Sequence, residues 1–449
     1  MSVDTLNQVD DVTRSYRAPI DREIESTRLE VSGHVPPALE GLYLRNGPNP
    51  RGVSRHWFQG DGMLHGVELS GGRARRYANR WVRTRTLESG ARAIDAAGNV
   101  DLRNGASNTS VIRHAGRTLA LVESSFPCEV TLQLETIGPY DFDGRLHTPM
   151  TAHPKRCPLT GELLFFGYSP APSMPALTYH RVDPAGTLVE SRNIDVPGRT
   201  LMHDFAITAS HVVFLDLPLV FDLERARLGT MPFRWSDTYG ARLGVMPRDG
   251  DATVRWFEIE PCYVFHVLNA FDDGGRVVLD AVRYRELWRD TADDFESTTL
   301  HRWTLDLDTG TVREETLDDA NVEFPRVDDS RTGLAYRYGY AVGRSGSIVK
   351  YDLTAQRSSR LEFEPGEIPG EFTFVPAPGA TAEDEGWILG FVYDARRDGS
   401  DFVIAEARDL TRVATVHLPQ RVPAGFHGDW FPAPVSAATS ARTPAHRPG

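Results

Sequence analysis

Four histidines lie in short, similar contexts spread along the chain: TAHP at residues 151–154, LMHDF at 201–205, VFHVLN at 264–269 and GFHGD at 425–429. They are His153, His203, His266 and His427. Four neutral imidazoles would hold a first-row transition metal without an anionic ligand, which favours redox chemistry at iron over hydrolysis. Their separations of 50, 63 and 161 residues match no local metal motif. A single histidine at a strand end is usually structural, so spacing alone leaves both interpretations open.

Three glutamates stand in otherwise apolar surroundings. Glu123 follows the segment LALV, Glu323 lies in VEFP, and Glu371 lies in GEFTF. A metal-bound histidine usually donates its second ring N–H to a carboxylate or a carbonyl, which fixes the tautomer. These three side chains are therefore candidates to support metal-binding histidines. When its own segment is considered alone, each of these glutamates is also consistent with an ordinary acid at a strand edge.

The composition excludes several classes of protein. The chain has 449 residues and a net charge of −13, and no basic cluster interrupts it, which argues against a nucleic-acid partner. The cysteines are odd in number and widely spaced: Cys128, Cys157 and Cys262. A disulfide framework is not expected, and a reducing cytoplasm fits.

No targeting or membrane segment is expected. Residues 1–17 are polar and contain no apolar signal-peptide region. The longest apolar candidate, residues 212–221, is interrupted by Asp216 and Pro218, and no run reaches the roughly 18 residues that a membrane span needs.

Short segments of alternating apolar residues, bounded by Gly, Pro and Asp, predict an all-β chain. Hairpin turns are expected at residues 183–186, 308–310 and 409–411, and short helices at 221–228 and 284–288. The later turns recur at intervals typical of propeller blades of roughly 40–50 residues, although other all-β folds space strands similarly. We expect an N-terminal arm at residues 1–29 that is partly flexible, one catalytic domain at 30–432, and a disordered tail at 433–449.

A chain-long set of motifs resembles the carotenoid cleavage oxygenase family, which also includes bacterial stilbene-cleaving dioxygenases. The motifs are GLYLRNGPNP at residues 41–50, WFQGDGMLH at 57–65, ESSF at 123–126, EFP at 323–325 and the four histidine segments. They occur in the family's order across residues 30–430, which makes the resemblance specific.

The resemblance implies a fold and a metal site. The family fold is a seven-bladed β-propeller, all-β, with loops and short helices capping its top face. One Fe(II) per chain would lie on the propeller axis, bound by the four histidines. Glu123, Glu323 and Glu371 match the glutamates that hold three of them, and His153 is expected to lack such a partner. His65 matches a family motif but not a ligand position, so we interpret it as structural.

The implied activity is oxidative cleavage of a C=C bond by O2 into two carbonyl products. Four imidazoles leave two of six octahedral positions, and no acid–base residue is required. The expected substrate is an apolar carotenoid or apocarotenoid. A stilbene is the alternative, but stilbene-cleaving relatives carry lysine where this chain has Val122. Phe126, Phe271 and Phe426 are further candidates for substrate contact, and each could instead be core packing.

Residues 217–221 and 231–233, together with Trp235, are a candidate for the mouth of the substrate cavity. The alternative interpretation is that these residues make ordinary packing contacts between loops. The expected partners are O2 and an apolar alkene, in the cytoplasm, with peripheral membrane contact as an option. Other classes of propeller protein are alternatives. A propeller hydrolase that uses Ca²⁺ would need a cluster of oxygen ligands, and a non-catalytic propeller scaffold or a non-oxidative isomerase fits the motifs less well.

Overall fold

A computed structural model describes residues 13–52, 54, 56–95, 98–249, 253–292 and 295–433. Within these ranges, seven antiparallel sheets of four or five strands form a seven-bladed β-propeller, which confirms the predicted fold. The predicted tail lies outside the described residues from position 434 onward, and so do residues 1–12 of the predicted arm.

The first three blades contain the following strands. Blade 1 contains β1 (Glu25–Ser26), β3 (Gly41–Pro48), β4 (Gly62–Ser70), β5 (Arg73–Trp81) and β32 (Gly428–Pro432). Blade 2 contains β6 (Ser110–His114), β7 (Arg117–Leu121), β8 (Cys128–Val130) and β9 (Thr136–Pro139). Blade 3 contains β10 (Lys155–Arg156), β11 (Leu163–Tyr168), β12 (Leu177–Val182) and β13 (Leu188–Asn193).

The next two blades follow in chain order. Blade 4 contains β14 (Phe205–Ile207), β15 (His211–Asp216), β18 (Arg242–Pro247) and β19 (Arg255–Glu258). A separate hairpin, β16 (Leu219–Phe221) and β17 (Phe233–Trp235), is inserted between β15 and β18. Blade 5 contains β20 (Val267–Asp273), β21 (Arg276–Tyr284), β22 (Thr298–Asp306) and β23 (Val312–Asp318).

The last two blades complete the ring. Blade 6 contains β24 (Val322–Arg326), β25 (Tyr338–Gly343), β26 (Ser347–Asp352) and β27 (Arg357–Glu362). Blade 7 contains β2 (Glu30–Gly33), β28 (Glu367–Pro376), β29 (Gly386–Asp394), β30 (Gly399–Glu406) and β31 (Arg412–His417).

Both ends of the chain close the ring. The C-terminal strand β32 pairs with β3 as the innermost strand of blade 1. At the outer edges, β1 pairs with β5 and β2 pairs with β31. Blades 1 and 7 are thus each built from both ends of the chain, so separating these blades would break strand pairs on both sides of the junction.

The burial pattern follows the position of each strand in its blade. Central strands such as β11 (LLFFGY) and β29 (GWILGFVYD) are buried on both faces, because neighbouring blades stack against them. The outer strand β27 (RSSRLE) is largely exposed and polar. The turns predicted at 183–186, 308–310 and 409–411 join β12 to β13, β22 to β23 and β30 to β31, as expected.

The helices are short. Leu223–Leu228 forms one of them, within the predicted range of 221–228, although Phe221 ends β16 instead. Asp222 caps its N-terminus, and Gly229 ends it in the left-handed conformation. Arg85–Ser89 forms another, residues 13–17 are helical, and Asp329–Arg331 is a 3-10 turn. The helix predicted at 284–288 is wrong, because Tyr284 ends β21 paired with Thr298, and Trp288 has a φ of 53°. None of the described helices has the length and apolarity needed to cross a bilayer.

Candidate metal centre

Each of the four histidines stands at the start of an innermost strand. His153 lies two residues before β10, His203 two residues before β14, and His266 and His427 immediately before β20 and β32. The inner strands of a propeller surround one axis, so side chains at the same end of these strands converge. One ring nitrogen from each histidine lies within 4.8 Å of the others. Three of the four residues are buried, and His153 is partly exposed.

The orientation of three imidazoles is set by the three glutamates. Nδ1 of His203 lies 2.8 Å from Glu123 Oε2, and Nδ1 of His266 lies 2.5 Å from Glu323 Oε2. For His427, the Nδ1 distance to Glu371 Oε1 is 2.9 Å. A carboxylate accepts, so Nδ1 carries the proton in each ring, and Nε2 is left with a free lone pair.

The free Nε2 atoms fit one metal ion. Nε2 of His153 and Nε2 of His203 lie 2.9 Å apart. Two imidazole nitrogens at right angles around one ion, each about 2.1 Å from it, would lie about 3 Å apart. Nε2 of His266 is buried and has no hydrogen-bond partner, which is costly for a polar atom unless a ligand occupies the space that it faces. The donor set therefore suits a divalent transition metal.

His153 differs from the other three histidines. Its backbone N–H donates to Thr151 Oγ1 at 3.1 Å, and within the described ranges no carboxylate is hydrogen-bonded to its ring. His153 is the histidine that the motif resemblance led us to expect without a glutamate partner. Burial, reinforced by the neighbouring histidines and Lys155, lowers the pKa of His153 well below its usual range, so its ring is neutral near pH 7.

The glutamates come from the blades that supply no histidine. Glu123 follows β7 in blade 2, Glu323 lies in β24 of blade 6, and Glu371 lies in β28 of blade 7. The pairing of β24 and of β28 shifts register beside these glutamates. A bulge bends a strand and re-aims its side chains, so the two irregularities allow these carboxylates to reach histidines on neighbouring blades.

Two of the carboxylates are ionised by their surroundings although they are buried. Burial alone would raise the pKa of Glu371, but His427, the Arg326 guanidinium and the Gly428 N–H lower it to about 2. Burial is likewise outweighed at Glu323, where His266 lowers the pKa of the carboxyl. Each ionised glutamate accepts a charge-assisted hydrogen bond, which holds the histidine ring firmly in one orientation.

A cavity of about 1760 Å³ opens onto this centre. Its lining includes His203, His266 and His427 and a group of aromatic side chains: Trp57, Phe58, Phe265, Phe295, Phe324 and Phe426. The ring of Phe324 stacks on His266 with centroids 5.3 Å apart, and Phe265 meets His203 edge-on at 5.2 Å. The cavity exceeds the usual roughly 300–1,000 Å³ of a small-molecule site, so it suits a long apolar substrate.

Of the four residues predicted to contact substrate, two line the cavity and two do not. Val122 and Phe426 line the cavity. Phe126 instead packs against the buried cluster that contains Leu121, and Phe271 lies on β20 with its ring 6.2 Å from that of Tyr336. Neither residue belongs to the cavity lining.

Sequence reasoning missed several lining residues. Phe265 and Phe324 directly adjoin His266 and Glu323 in the chain, and this adjacency is a signal that could have identified them. Phe58 lies within the motif at residues 57–65 and was not singled out, whereas Phe295 lies in a distant loop that no motif marks. His65 is buried away from the centre and hydrogen-bonded to Tyr77, at 3.0 Å between Nδ1 and the hydroxyl, which fits its structural interpretation.

The predicted mouth is divided between the cavity and the core. Phe221, Met231 and Phe233 line the cavity. Other members of the predicted mouth are buried: Leu217, Leu219 and Trp235. The short helix that follows β16 exposes Leu223 by 54% and Leu228 by 64%. Large apolar side chains are therefore exposed to solvent on the segment that borders the cavity.

Comparison with known proteins gives one consistent family. Residues 17–432 match the family of the retinal pigment epithelial membrane protein. A carotenoid cleavage oxygenase of Mycobacterium tuberculosis is 40% identical, over 93% of this chain and 96% of its own length. A carotenoid 9,10(9',10')-cleavage dioxygenase of Crocus sativus is 33% identical, over 92% of this chain and 87% of its own length.

Solved structures agree with these sequence relatives. The cobalt-substituted apocarotenoid oxygenase of Synechocystis superposes with a TM-score of 0.86 at 28% identity, covering 94% of this chain and 99% of its own. The lignostilbene dioxygenase of Pseudomonas brassicacearum gives a TM-score of 0.85 at 29% identity, covering 92% and 97%. The likeness thus spans the whole propeller in both cases.

Proposed function

The chain belongs to the carotenoid cleavage oxygenase family of dioxygenases, and we propose that it is a non-haem Fe(II) enzyme that cleaves a C=C bond of a carotenoid or apocarotenoid. Both atoms of O2 enter the products, so the alkene carbons become two carbonyl groups and no further oxidant is needed. The observation that carries this proposal is the convergence of four imidazoles, three of which line a large cavity with aromatic walls.

We assign the metal ligands to His153, His203, His266 and His427, with one Fe(II) per chain. When bound, iron supplies the O2 chemistry that amino-acid side chains cannot perform. Four neutral nitrogen donors do not suit Ca²⁺, which takes oxygen ligands, so a Ca²⁺-dependent hydrolase is not favoured. The glutamates that hold three of the rings would be idle in a non-catalytic scaffold.

The protein's own contribution is to position the alkene and exclude water. The aromatic walls bind an extended apolar chain, and Phe265 and Phe324 border the space next to the histidines. Holding the reacting double bond beside the metal site replaces a bimolecular encounter with an oriented one. No general acid or base is required by the reaction, and three of the four histidine rings are already hydrogen-bonded to glutamates.

A carotenoid-type substrate is favoured over a stilbene by Val122. This residue lines the cavity and presents an isopropyl group directly before Glu123, so it offers no ammonium group to a phenol oxygen. A stilbene remains the second candidate, because the lignostilbene dioxygenase shares the complete fold with this chain. The size of the cavity favours the longer molecule.

We further propose that the protein acts in the cytoplasm and contacts a membrane surface through the segment bordering the cavity. Its three cysteines are unpaired, as is usual in a reducing compartment. Leu223 and Leu228 are exposed beside cavity-lining residues, where they could enter the apolar edge of a bilayer that holds the substrate.

The proposed function is tested by metal analysis and a substrate panel under O2. Purified protein should bind one Fe(II) per chain and convert apocarotenals of increasing length faster than hydroxylated stilbenes, with products identified by mass. Incorporation of one labelled oxygen from ¹⁸O2 into each product would establish dioxygenation. Tight zinc binding without iron-dependent turnover would overturn the proposal, and faster turnover of stilbenes would replace the substrate by the second candidate.

A further inference from the structure

The three glutamates at the metal centre differ in what holds them from behind. The Tyr284 hydroxyl donates to Glu323 Oε1 at 3.0 Å, and the Tyr168 hydroxyl hydrogen-bonds Glu123. Glu371 instead accepts the Gly428 N–H at 2.8 Å and lies 3.4 Å from a guanidinium nitrogen of Arg326. Within the described ranges, Glu371 is thus the member of this trio that forms an ion pair with an arginine.

Arg326 reaches the centre because its strand is irregular. It lies three residues after Glu323 in β24, and side chains three apart point to opposite faces of a regular strand. Here the pairing with β25 shifts register between these two residues, and Phe324 has a φ of 52°. One extra residue restores a common face. Glu323 and Arg326 therefore both point toward the centre. Glu323 contacts His266, and Arg326 contacts Gly428, the residue after His427.

The guanidinium connects three neighbouring blades. Nη1 of Arg326 donates to the Gly428 carbonyl at 3.0 Å and faces Glu371 Oε2, the same oxygen that accepts the Gly428 N–H. Gly428 directly follows His427 and begins β32, the strand that closes the ring. Arg326 thus fixes the backbone next to a histidine and the carboxylate that holds the ring of that histidine.

The charges around Arg326 are also informative. Its side chain is only 18% exposed, and two further acids act on it: Asp329, half-exposed at 3.6 Å, and Asp429. The guanidinium of Arg326 faces the carboxylate of Glu371, which is almost completely buried, at 3.4 Å. Buried charge is costly unless it is balanced, so the centre has an electrostatic use for Arg326 beyond its hydrogen bonds.

We propose that Arg326 is a positioning residue of the metal centre, which holds Glu371 and Gly428 so that His427 keeps its orientation, and whose positive charge offsets that of the Glu371 carboxylate. This inference rests on the proposed function, since it assumes that the four histidines bind iron. It predicts that loss of the guanidinium changes both the affinity for metal and the balance between the two oxidation states of iron.

The test compares Arg326→Met and Arg326→Lys with Arg302→Met in the full chain. Arg302 is a matched control, because it forms a short ion pair of 2.7 Å with buried Asp280 in blade 5, away from the centre. Fe(II) affinity is measured by chelator competition and the Fe(III)/Fe(II) midpoint potential by spectroelectrochemistry. The visible spectrum of Co(II)-loaded protein reports the geometry of the histidine set without any turnover.

Arg326→Met should weaken Fe(II) binding at least tenfold, because Glu371 and His427 lose a support. Removing a positive charge favours the ferric state, so the midpoint potential should fall by at least the 59 mV that corresponds to a tenfold change in a one-electron ratio. Arg326→Lys should recover the potential but not the affinity, since lysine keeps the charge without the planar fork. Arg302→Met should alter neither quantity.

Unchanged affinity and potential in Arg326→Met, with iron bound by the wild type, would overturn this inference alone. Equal effects of Arg302→Met would also overturn it, because they would reflect general destabilisation. If Arg326→Met does not fold, Arg326→Lys decides: tenfold weaker binding at an unaltered potential supports the inference, and unaltered binding rejects it. A wild type that binds no iron would refute the proposed function and, with it, this role of Arg326.

Discussion

Replacing Glu323 by glutamine removes a charge from the metal centre while preserving the shape of the side chain. Glu323 Oε2 accepts from Nδ1 of His266 at 2.5 Å and from the Phe324 N–H at 2.6 Å, and Oε1 accepts from Tyr284 at 3.0 Å. In Glu323→Gln the amide oxygen can serve His266 and Phe324, and the amide nitrogen can then donate to the oxygen of Tyr284. We therefore expect the variant to fold.

Glu323→Gln is expected to weaken the binding of the metal. The hydrogen bond from His266 changes from charge-assisted to neutral, and charge-assisted hydrogen bonds are roughly twice as strong. The ring of His266 becomes a weaker electron donor to the metal, and the negative charge near the ion falls by one unit. Losses of this kind typically reduce affinity by about 10–100-fold, which corresponds to about 1.4–2.7 kcal/mol.

The assay is Fe(II) competition with a chelator, accompanied by thermal unfolding of the metal-free protein. Glu406→Gln is the matched control, since the Glu406 carboxylate on blade 7 accepts a neutral indole N–H from Trp387 at 3.1 Å. The control should keep wild-type affinity. If Glu323→Gln also binds Fe(II) as tightly as the wild type, then the carboxylate does not support His266, and the reasoning about its charge is wrong.

Three further outcomes are expected. His266→Ala should abolish iron binding measured by elemental analysis, because the buried Nε2 is lost; full occupancy would remove His266 from the ligand set. Val122→Lys should shift the ratio of turnover toward hydroxylated stilbenes by placing an ammonium group in the cavity, and an unchanged ratio would show that this position does not select the substrate. Burial lowers the pKa of His180 to about 3, whereas the unfolded residue titrates near its usual value of 6.5, so protonation of the unfolded chain destabilises the fold as the pH falls from 6.5 toward 3. Denaturant unfolding of His180→Gln should therefore show a pH slope shallower by up to about 1.4 kcal/mol per pH unit in that window, and equal slopes would contradict this.

The hairpins and the general class of fold follow from local sequence. Asp-Pro-Ala-Gly at residues 183–186 and Asp-Thr-Gly at 308–310 mark turns between apolar runs, and both connect paired strands. The incorrect prediction of a helix at 284–288 shows the limit of local sequence patterns. Tyr284 is held in a strand by its pairing with Thr298 and by its hydroxyl contact with Glu323, and both partners are distant in sequence.

The candidate site, like the fold, was predictable from the sequence only in part. Motif order along the chain selects the four histidines and three glutamates, although each would look structural in isolation. It does not reveal which glutamate serves which histidine, since the partners are 80, 57 and 56 residues apart and lie on different blades. Phe126 and Phe271 lie in or beside motifs but pack outside the cavity lining, whereas Phe58 and Phe295 reach the cavity from separate loops.

The sequence by itself thus determined the kind of centre, because four imidazoles in ordered motifs specify the donor atoms whatever the packing. The tertiary structure alone decided how those donors are held. Closure of the ring by β32 brings His427 next to Glu371, and the irregular β24 delivers both Glu323 and Arg326. These arrangements depend on the register and curvature of strands on separate blades, which local residue patterns do not encode.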